Sequence, residues 1–317
     1  MNTVGFPISS KENEFRRALI PDDIVNIEKP ELLYIEKGYG EVLGFSDHDY
    51  NSKGVNIASR HQVLSKRIIC DPKIGDAEYL DSLNNQTIFG WVHAVQNKSI
   101  TDKIINRNLT AFAWEDMYNL GRHTFYRNNE IAGEAAVFHA FQLFGEMPYN
   151  LKVAVLGNGN TARGAINILS KLGADITVYD RRKEKLFRKE MYEFDVIVNA
   201  VLWDTTRKDH LVFNEDLKRM KKNSLIIDIS CDEKGAIESS IPTTIEDPTY
   251  KYCNVEHYVV DHTPSLFYKT STSSISSKVS KYLNELISGQ YSKTLDDALI
   301  IKEGKILDSR INNFQNR

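Results

Sequence analysis

A run of five residues, Lys152-Val153-Ala154-Val155-Leu156, leads straight into Gly157-Asn158-Gly159-Asn160-Thr161-Ala162, and no other stretch of the chain narrows the possible folds as far. After Lys152 the run is apolar at every position, as in a strand buried on both faces. Residues 162–172 then carry a helical pattern, and a second strand over 175–179 ends at Asp180, about 20 residues beyond the turn. In such a unit the first glycine permits the tight turn and the second lets the backbone approach a pyrophosphate. The small Ala162 at the third position lets the helix close on the sheet. Glycine pairs also serve plain turns; the flanking strand, helix and acidic residue make this one a dinucleotide site.

Which nicotinamide dinucleotide it takes stays open at this level. Asp180 can accept from the adenosine ribose hydroxyls, which favours NAD. Arg181 and Arg182 follow directly and can clamp a 2′-phosphate, which favours NADP; their plain alternative is a solvated loop with two surface charges.

Around this unit the chain alternates short apolar runs with helical or loop-like stretches, giving a mostly parallel sheet before residue 130 and a second one after it. Runs at 32–35, 68–70, 87–92 and 110–114 belong to the first sheet; runs at 195–200, 224–229 and 255–260 join the glycine-turn strand in the second. A small-residue helix over 129–144 leads from one to the other. Helical periodicity returns over 273–287, and 299–307 reads as a hairpin. The expected architecture is α/β, with a Rossmann dinucleotide-binding domain (131–270) inserted into a discontinuous α/β substrate domain (1–130, completed by 271–317).

With 317 residues, 41% of them hydrophobic, there is enough chain for two cores. A net charge of -3 offers no broad cationic surface, so nucleic acid and anionic membrane are not expected partners, and small molecules are. Cys70, Cys231 and Cys253 are scattered, without metal-ligand spacing, and read as reduced, buried thiols; no metal is expected. The first ten residues lack a signal-like pattern, and no window approaches about 20 apolar residues. A cytoplasmic enzyme is the expectation.

Several segments together carry a resemblance. Lys11-Glu12-Asn13-Glu14-Phe15-Arg16-Arg17-Ala18-Leu19-Ile20-Pro21, the glycine turn, Ile227-Asp228-Ile229-Ser230-Cys231-Asp232, and Pro242-Thr243-Thr244 with His257-Tyr258 resemble the alanine dehydrogenase and pyridine nucleotide transhydrogenase superfamily. Within it, three further segments resemble the N5-(carboxyethyl)ornithine synthase family: Cys70-Asp71-Pro72-Lys73-Ile74-Gly75-Asp76, Phe89-Gly90-Trp91-Val92-His93-Ala94-Val95-Gln96-Asn97, and Asp261-His262-Thr263-Pro264. The resemblance implies an NADP-dependent oxidoreductase acting on a carbon–nitrogen bond, which condenses pyruvate with the side-chain amine of ornithine, or of lysine, and works as a homo-oligomer, a tetramer. It places Arg16 on the carboxylate of the oxo acid, Lys73 at the keto oxygen, His93 as acid and base, and Asp232 as the acidic residue of the site.

Those roles suit the chemistry. An arginine fork orients a carboxylate bidentately, an ammonium beside a carbonyl polarises it and stabilises an alkoxide, and an imidazole exchanges protons near neutrality. Arg17 is a rival for the role of Arg16, and Asp232 can instead cap the turn through Gly235. Where alanine dehydrogenases accept ammonia, several loops here differ and carry charge. Glu115, Asp116, Asp204 and Asp261 are candidates for the cationic end of a diamino acid, and Arg122 or Arg127 for its carboxylate. The alternatives are an alanine or saccharopine-type dehydrogenase and a non-catalytic dinucleotide-binding sensor.

Overall fold

The computed structural model describes residues 1–204, 207–232 and 235–317. They form two compact units, residues 1–126 with 268–317, and residues 127–267.

The first unit is built on an eight-stranded sheet. Six strands run parallel: β1 (Val4–Phe6), β2 (Leu33–Glu36), β3 (Asn56–Ala58), β4 (Ile68–Cys70), β5 (Thr87–Gly90) and β6 (Thr110–Ala113). A short hairpin, β7 (Tyr118–Asn119) and β8 (Arg122–His123), follows β6. From the far end of the chain, β15 (Leu299–Lys302) adds antiparallel to β6 and pairs in turn with β16 (Lys305–Ile306), so the order is β16-β15-β6-β5-β4-β1-β2-β3. Every residue of β4 and β5 is buried, because each face of the sheet has its own apolar layer. Ile68, Cys70, Phe89 and Phe112 pack into one layer, and Ile69, Ile88, Ala111 and Ala113 into the other.

The second unit holds β9 (Lys152–Leu156), β10 (Asp175–Tyr179), β11 (Val196–Asn199), β12 (Leu225–Asp228), β13 (Thr249–Tyr252) and β14 (Val255–Tyr258), in the order β10-β9-β11-β12-β14-β13. All are parallel except the edge strand β13. β13 is Thr-Tyr-Lys-Tyr, half-buried or exposed throughout, and so has no apolar pattern by which to find it in the sequence. The sheet changes winding direction at β9, with β10 on one side and β11 on the other; the glycine turn stands at that switch point, where open α/β sheets bind ligands.

Two helices of this unit, Tyr126–Phe144 (which starts one residue earlier, in the first unit) and Asn160–Lys171, cross on glycine. A Cβ on Gly164 would lie 1.8 Å from the carbonyl oxygen of Glu130, and one on Gly133 would lie 2.0 Å from that of Thr161. The small residues of the first helix therefore serve a close helix crossing. Cys70 is buried as expected, but Cys231 and Cys253 are half-buried, which corrects the expectation of three buried thiols. Cys231 sits just past β12, where its Sγ donates to backbone carbonyls, and Cys253 lies in the turn between β13 and β14. Among the described residues no helix is long and apolar enough to cross a membrane, and no cluster of His, Cys, Asp and Glu could hold a metal ion.

Candidate active site

In the first unit β5, β4 and β1 are neighbours and parallel, so the loops that follow them emerge at one edge. These loops carry Arg16 after β1, Lys73 after β4 and His93 after β5. The last two loops are laced by the backbone: Asp71 N donates to Phe89 O at 3.2 Å, Trp91 N to Pro72 O at 3.3 Å, and Gly75 N to Trp91 O at 3.1 Å. The approach is so close that a Cβ on Gly75 would lie 2.1 Å from Val92 O, and one on Gly90 2.0 Å from Asp71 O. Glycine is required at both positions.

Each cation of this edge has a carboxylate partner. Arg16 and Glu14, both buried, form a two-pronged pair, with Nε to Oε1 at 2.8 Å and Nη2 to Oε2 at 2.5 Å, and the guanidinium lies 5.0 Å from the Trp91 ring. Burial pushes the Glu14 carboxyl up, but the charge and hydrogen bonds of Arg16, helped by Lys73, hold it below the usual carboxylate range. The Nζ of Lys73, also buried, lies 2.9 Å from Asp76, and Lys11 reaches the same carboxylate at 3.5 Å. Asp76 is likewise raised by burial and lowered further by Lys73, then by Lys11 and His93, so that it ends low. Asp71, fully buried and pushed up by that burial, accepts from Lys73 N at 3.0 Å and from the Tyr79 hydroxyl, fixing the backbone beneath Lys73.

Arg17 is employed elsewhere. It donates to Tyr39 O at 2.6 Å and lies 5.3 Å from the Tyr39 ring, so Arg16 has no rival as the guanidinium of this edge. Glu14, Asp71 and Asp76 escaped the sequence reading. The available signals were Glu14 two residues before Arg16 and Asp76 three after Lys73, spacings too common to single out.

The expected acidic loops turn out differently. Glu115 accepts from His93 N at 2.6 Å and Val92 N at 3.1 Å, which holds His93 in a left-handed backbone conformation (φ 54°). Asp116 pairs with Arg310 at 2.8 Å, and Arg127 pairs with Glu134 and Glu130 at 2.9 and 3.0 Å. These carboxylates and Arg127 thus each have a partner within the fold.

Burial pushes the Glu115 carboxyl up to about 7, against the pull of the backbone amides. Between the unfolded value near 4.5 and about 7 the native chain keeps a proton that the unfolded chain has lost. The stability contributed at this position therefore falls as pH rises through that window and is level above it. Because the residue keeps some surface, the loss is expected to be on the order of 2 kcal/mol. Urea unfolding of wild type and Glu115→Gln at about pH 5 and about pH 8 checks this: the variant is expected to lose less stability than wild type, and equal losses would show that Glu115 does not titrate in this range.

In the second unit Gly157 has φ 109°, and a Cβ there would lie 2.8 Å from Ala200 O. Gly159 caps the helix Asn160–Lys171, and a Cβ there would meet nothing within 4 Å, which leaves room for a ligand over the turn. Asn158 lies between the glycines, Asn160 and Thr161 open the helix, and Ala162 is buried against the sheet. Asp180 accepts from the backbone N of Arg182 at 3.0 Å and pairs with its Nη2 at 2.6 Å, and Arg181 is exposed beside them.

Beyond β12, Asp228 is fully buried and accepts from Asn199 Nδ2 at 2.8 Å and from the Ser240 hydroxyl. Burial, with the nearby charge of Asp228, pushes Asp232 up to about 6. Asp232 also takes part in the turn, since its carbonyl accepts from Gly235 N at 2.9 Å. Asp204 is exposed beyond β11. Asp261, beyond β14, has its carboxylate on Nδ1 of His262, whose Nε2 is buried without a hydrogen-bond partner. Asp261 thus orients a histidine.

Residues 5–126 match the alanine dehydrogenase/PNT N-terminal domain family, and residues 182–310 match its C-terminal counterpart. The stretch 127–181, with the glycine turn, lies outside both matches. An N(5)-(carboxyethyl)ornithine synthase of Clostridium botulinum is 33% identical, covering 92% of this chain and 95% of that one. Another, from Lactococcus lactis subsp. lactis, is 31% identical over 90% and 94%. Among solved structures, an L-alanine dehydrogenase superposes with a TM-score of 0.83 over 99% of each chain at 21% identity.

Proposed function

From the premise that this chain belongs to the N5-(carboxyethyl)ornithine synthase family of the alanine dehydrogenase and transhydrogenase superfamily, a superfamily of pyridine-nucleotide oxidoreductases, we propose its reaction. It is the NADPH-dependent reductive condensation of pyruvate with the side-chain amine of L-ornithine, giving N5-(1-carboxyethyl)ornithine. The observation that carries the reading is the convergence of Arg16, Lys73 and His93 at the adjoining ends of β1, β4 and β5. In this assignment residues 1–126 with 268–317 handle the substrates, and residues 127–267 hold the dinucleotide.

Arg16 presents a planar fork of donors, two of which Glu14 takes, and a guanidinium of this kind suits the pyruvate carboxylate. Lys73 polarises the keto group. The neutral amine attacks the carbonyl carbon, forming the C–N bond, and a proton moves from the nitrogen to the carbonyl oxygen to give a neutral carbinolamine. His93 protonates the departing hydroxyl, the C–O bond breaks, water leaves, and a protonated imine remains. A reduced nicotinamide, when bound, would supply the hydride that turns this carbon into a secondary amine, which takes up a proton at neutral pH. Asp232, raised toward neutrality, is a second candidate for handling protons. Asp204, exposed after β11, is the remaining carboxylate proposed for the cationic end of the diamino acid, with Asp261 acting through His262.

The geometry of Asp180 favours the phosphorylated cofactor. With Arg182 folded onto it, its carboxylate is neutralised by a direct pair, and Arg181, exposed beside them, offers charge to a 2′-phosphate. The purified chain is expected to oxidise NADPH faster than NADH when given pyruvate and ornithine together, measured by the loss of reduced-nicotinamide absorbance. Lysine, alanine and ammonium are offered one at a time in place of ornithine. Turnover with ammonium alone would convert the assignment to an alanine dehydrogenase, and binding of NADPH without turnover on any amine would make the chain a dinucleotide sensor.

A further inference from the structure

Several basic residues of this chain sit on carboxylates. Arg182 pairs with Asp180, Arg207 with Glu184 and Asp209, Arg310 with Asp116 and Asp308, and Lys293 with Asp297. One place in the first unit gathers three that do not. A cavity of about 450 Å³ lies between the β7–β8 hairpin and the helix Tyr268–Ser288, and Arg122, Lys278 and Lys281 line it. No aspartate or glutamate lines it, and among the described residues none of the three cations has a carboxylate in ion-pair contact.

The cations are held together by the fold. Lys278, Lys281 and Tyr282 share one helix face by their three- and four-residue spacing. The Arg122 guanidinium lies 5.2 Å from the Tyr126 ring centroid and Lys278 Nζ 5.9 Å from the same ring, so one aromatic gathers charges from both the hairpin and the helix.

We propose that this cavity is a binding site for a compact polyanion, a small phosphate-bearing or polycarboxylate molecule. Three cations without a counter-charge ask for two or three negative charges in a small volume, and Tyr126 and Tyr282 supply apolar walls. A diamino acid, with net positive charge at neutral pH, is a poor fit, so the site is independent of the proposed amine pocket.

Calorimetric titration of the whole chain with inorganic phosphate, pyrophosphate and citrate, each against chloride at matched ionic strength, tests this and separates phosphate from carboxylate sources. Saturable binding of at least one of them is expected, weakened about tenfold or more in Lys278→Ala/Lys281→Ala, with the unliganded unfolding midpoint unchanged. Heats that match the chloride control, or binding that survives the double substitution, would overturn the proposal. So would a double variant whose only change is in self-association, since the cavity would then be a contact between copies of the chain.

Discussion

Replacing Lys73 by Met is expected to lower kcat for the condensation of pyruvate with ornithine about 10²–10³-fold while leaving the equilibrium affinity for NADPH unchanged. Methionine keeps the length and packing of the side chain and removes the charge proposed to polarise the keto oxygen. The fold tolerates the exchange because Asp76 retains Lys11 at 3.5 Å and is 28% exposed, so water replaces the lost partner. Backbone support survives as well, since Asp71 and the bonds between the β4 and β5 loops do not involve the Lys73 amine. Single-turnover kinetics with saturating substrates separates the effect from weaker pyruvate binding, and fluorescence titration measures NADPH. An unchanged kcat would remove Lys73 from the chemistry; loss of NADPH binding together with activity would point to damage beyond the first unit.

Sequence and structure agree most closely where an element rests on backbone pattern. The glycine turn was legible because Gly157 and Gly159 are demanded by local conformation and approach, and such demands leave their mark within a few residues. Arg16, Lys73 and His93 were legible through resemblance, and parallel strands bring them to one edge. What stayed hidden is the charge bookkeeping. Glu115 and Asp116 look like candidates for an amine in a sequence, yet one is turned onto the His93 and Val92 amides and the other onto Arg310, nearly 200 positions away in the chain. Gly133 and Gly164 were hidden for the same reason, because each is explained by a helix crossing. Short-range pattern shows which side chains are present, and long-range packing decides which charges are already spoken for.

Glu14 carries the second large expected effect, on stability. Glu14→Gln removes a carboxylate that is 4% exposed and takes from the Arg16 guanidinium, 3% exposed, the charge that binds it through two hydrogen bonds. Breaking one side of a buried pair costs about 3–5 kcal/mol, because an uncompensated charge is left out of water. The pair also links stability to acid. The native Glu14 carboxyl is held below its unfolded value, so its contribution is fully present above that value and is lost as pH falls through the native one. Wild type is therefore expected to lose stability on acidification across the lower carboxylate range, and Glu14→Gln to lose less, as judged by urea midpoints over an acid pH series. The companion variant Glu14→Leu/Arg16→Met removes both charges and keeps much of the volume. It is expected to recover most of the lost stability, since a buried pair replaced by apolar groups is often neutral in energy, while pyruvate turnover stays abolished for want of the guanidinium. Recovery of stability without recovery of activity is the signature of an arginine held in the core for its chemistry. Activity in the apolar pair would assign Arg16 and Glu14 to the fold alone.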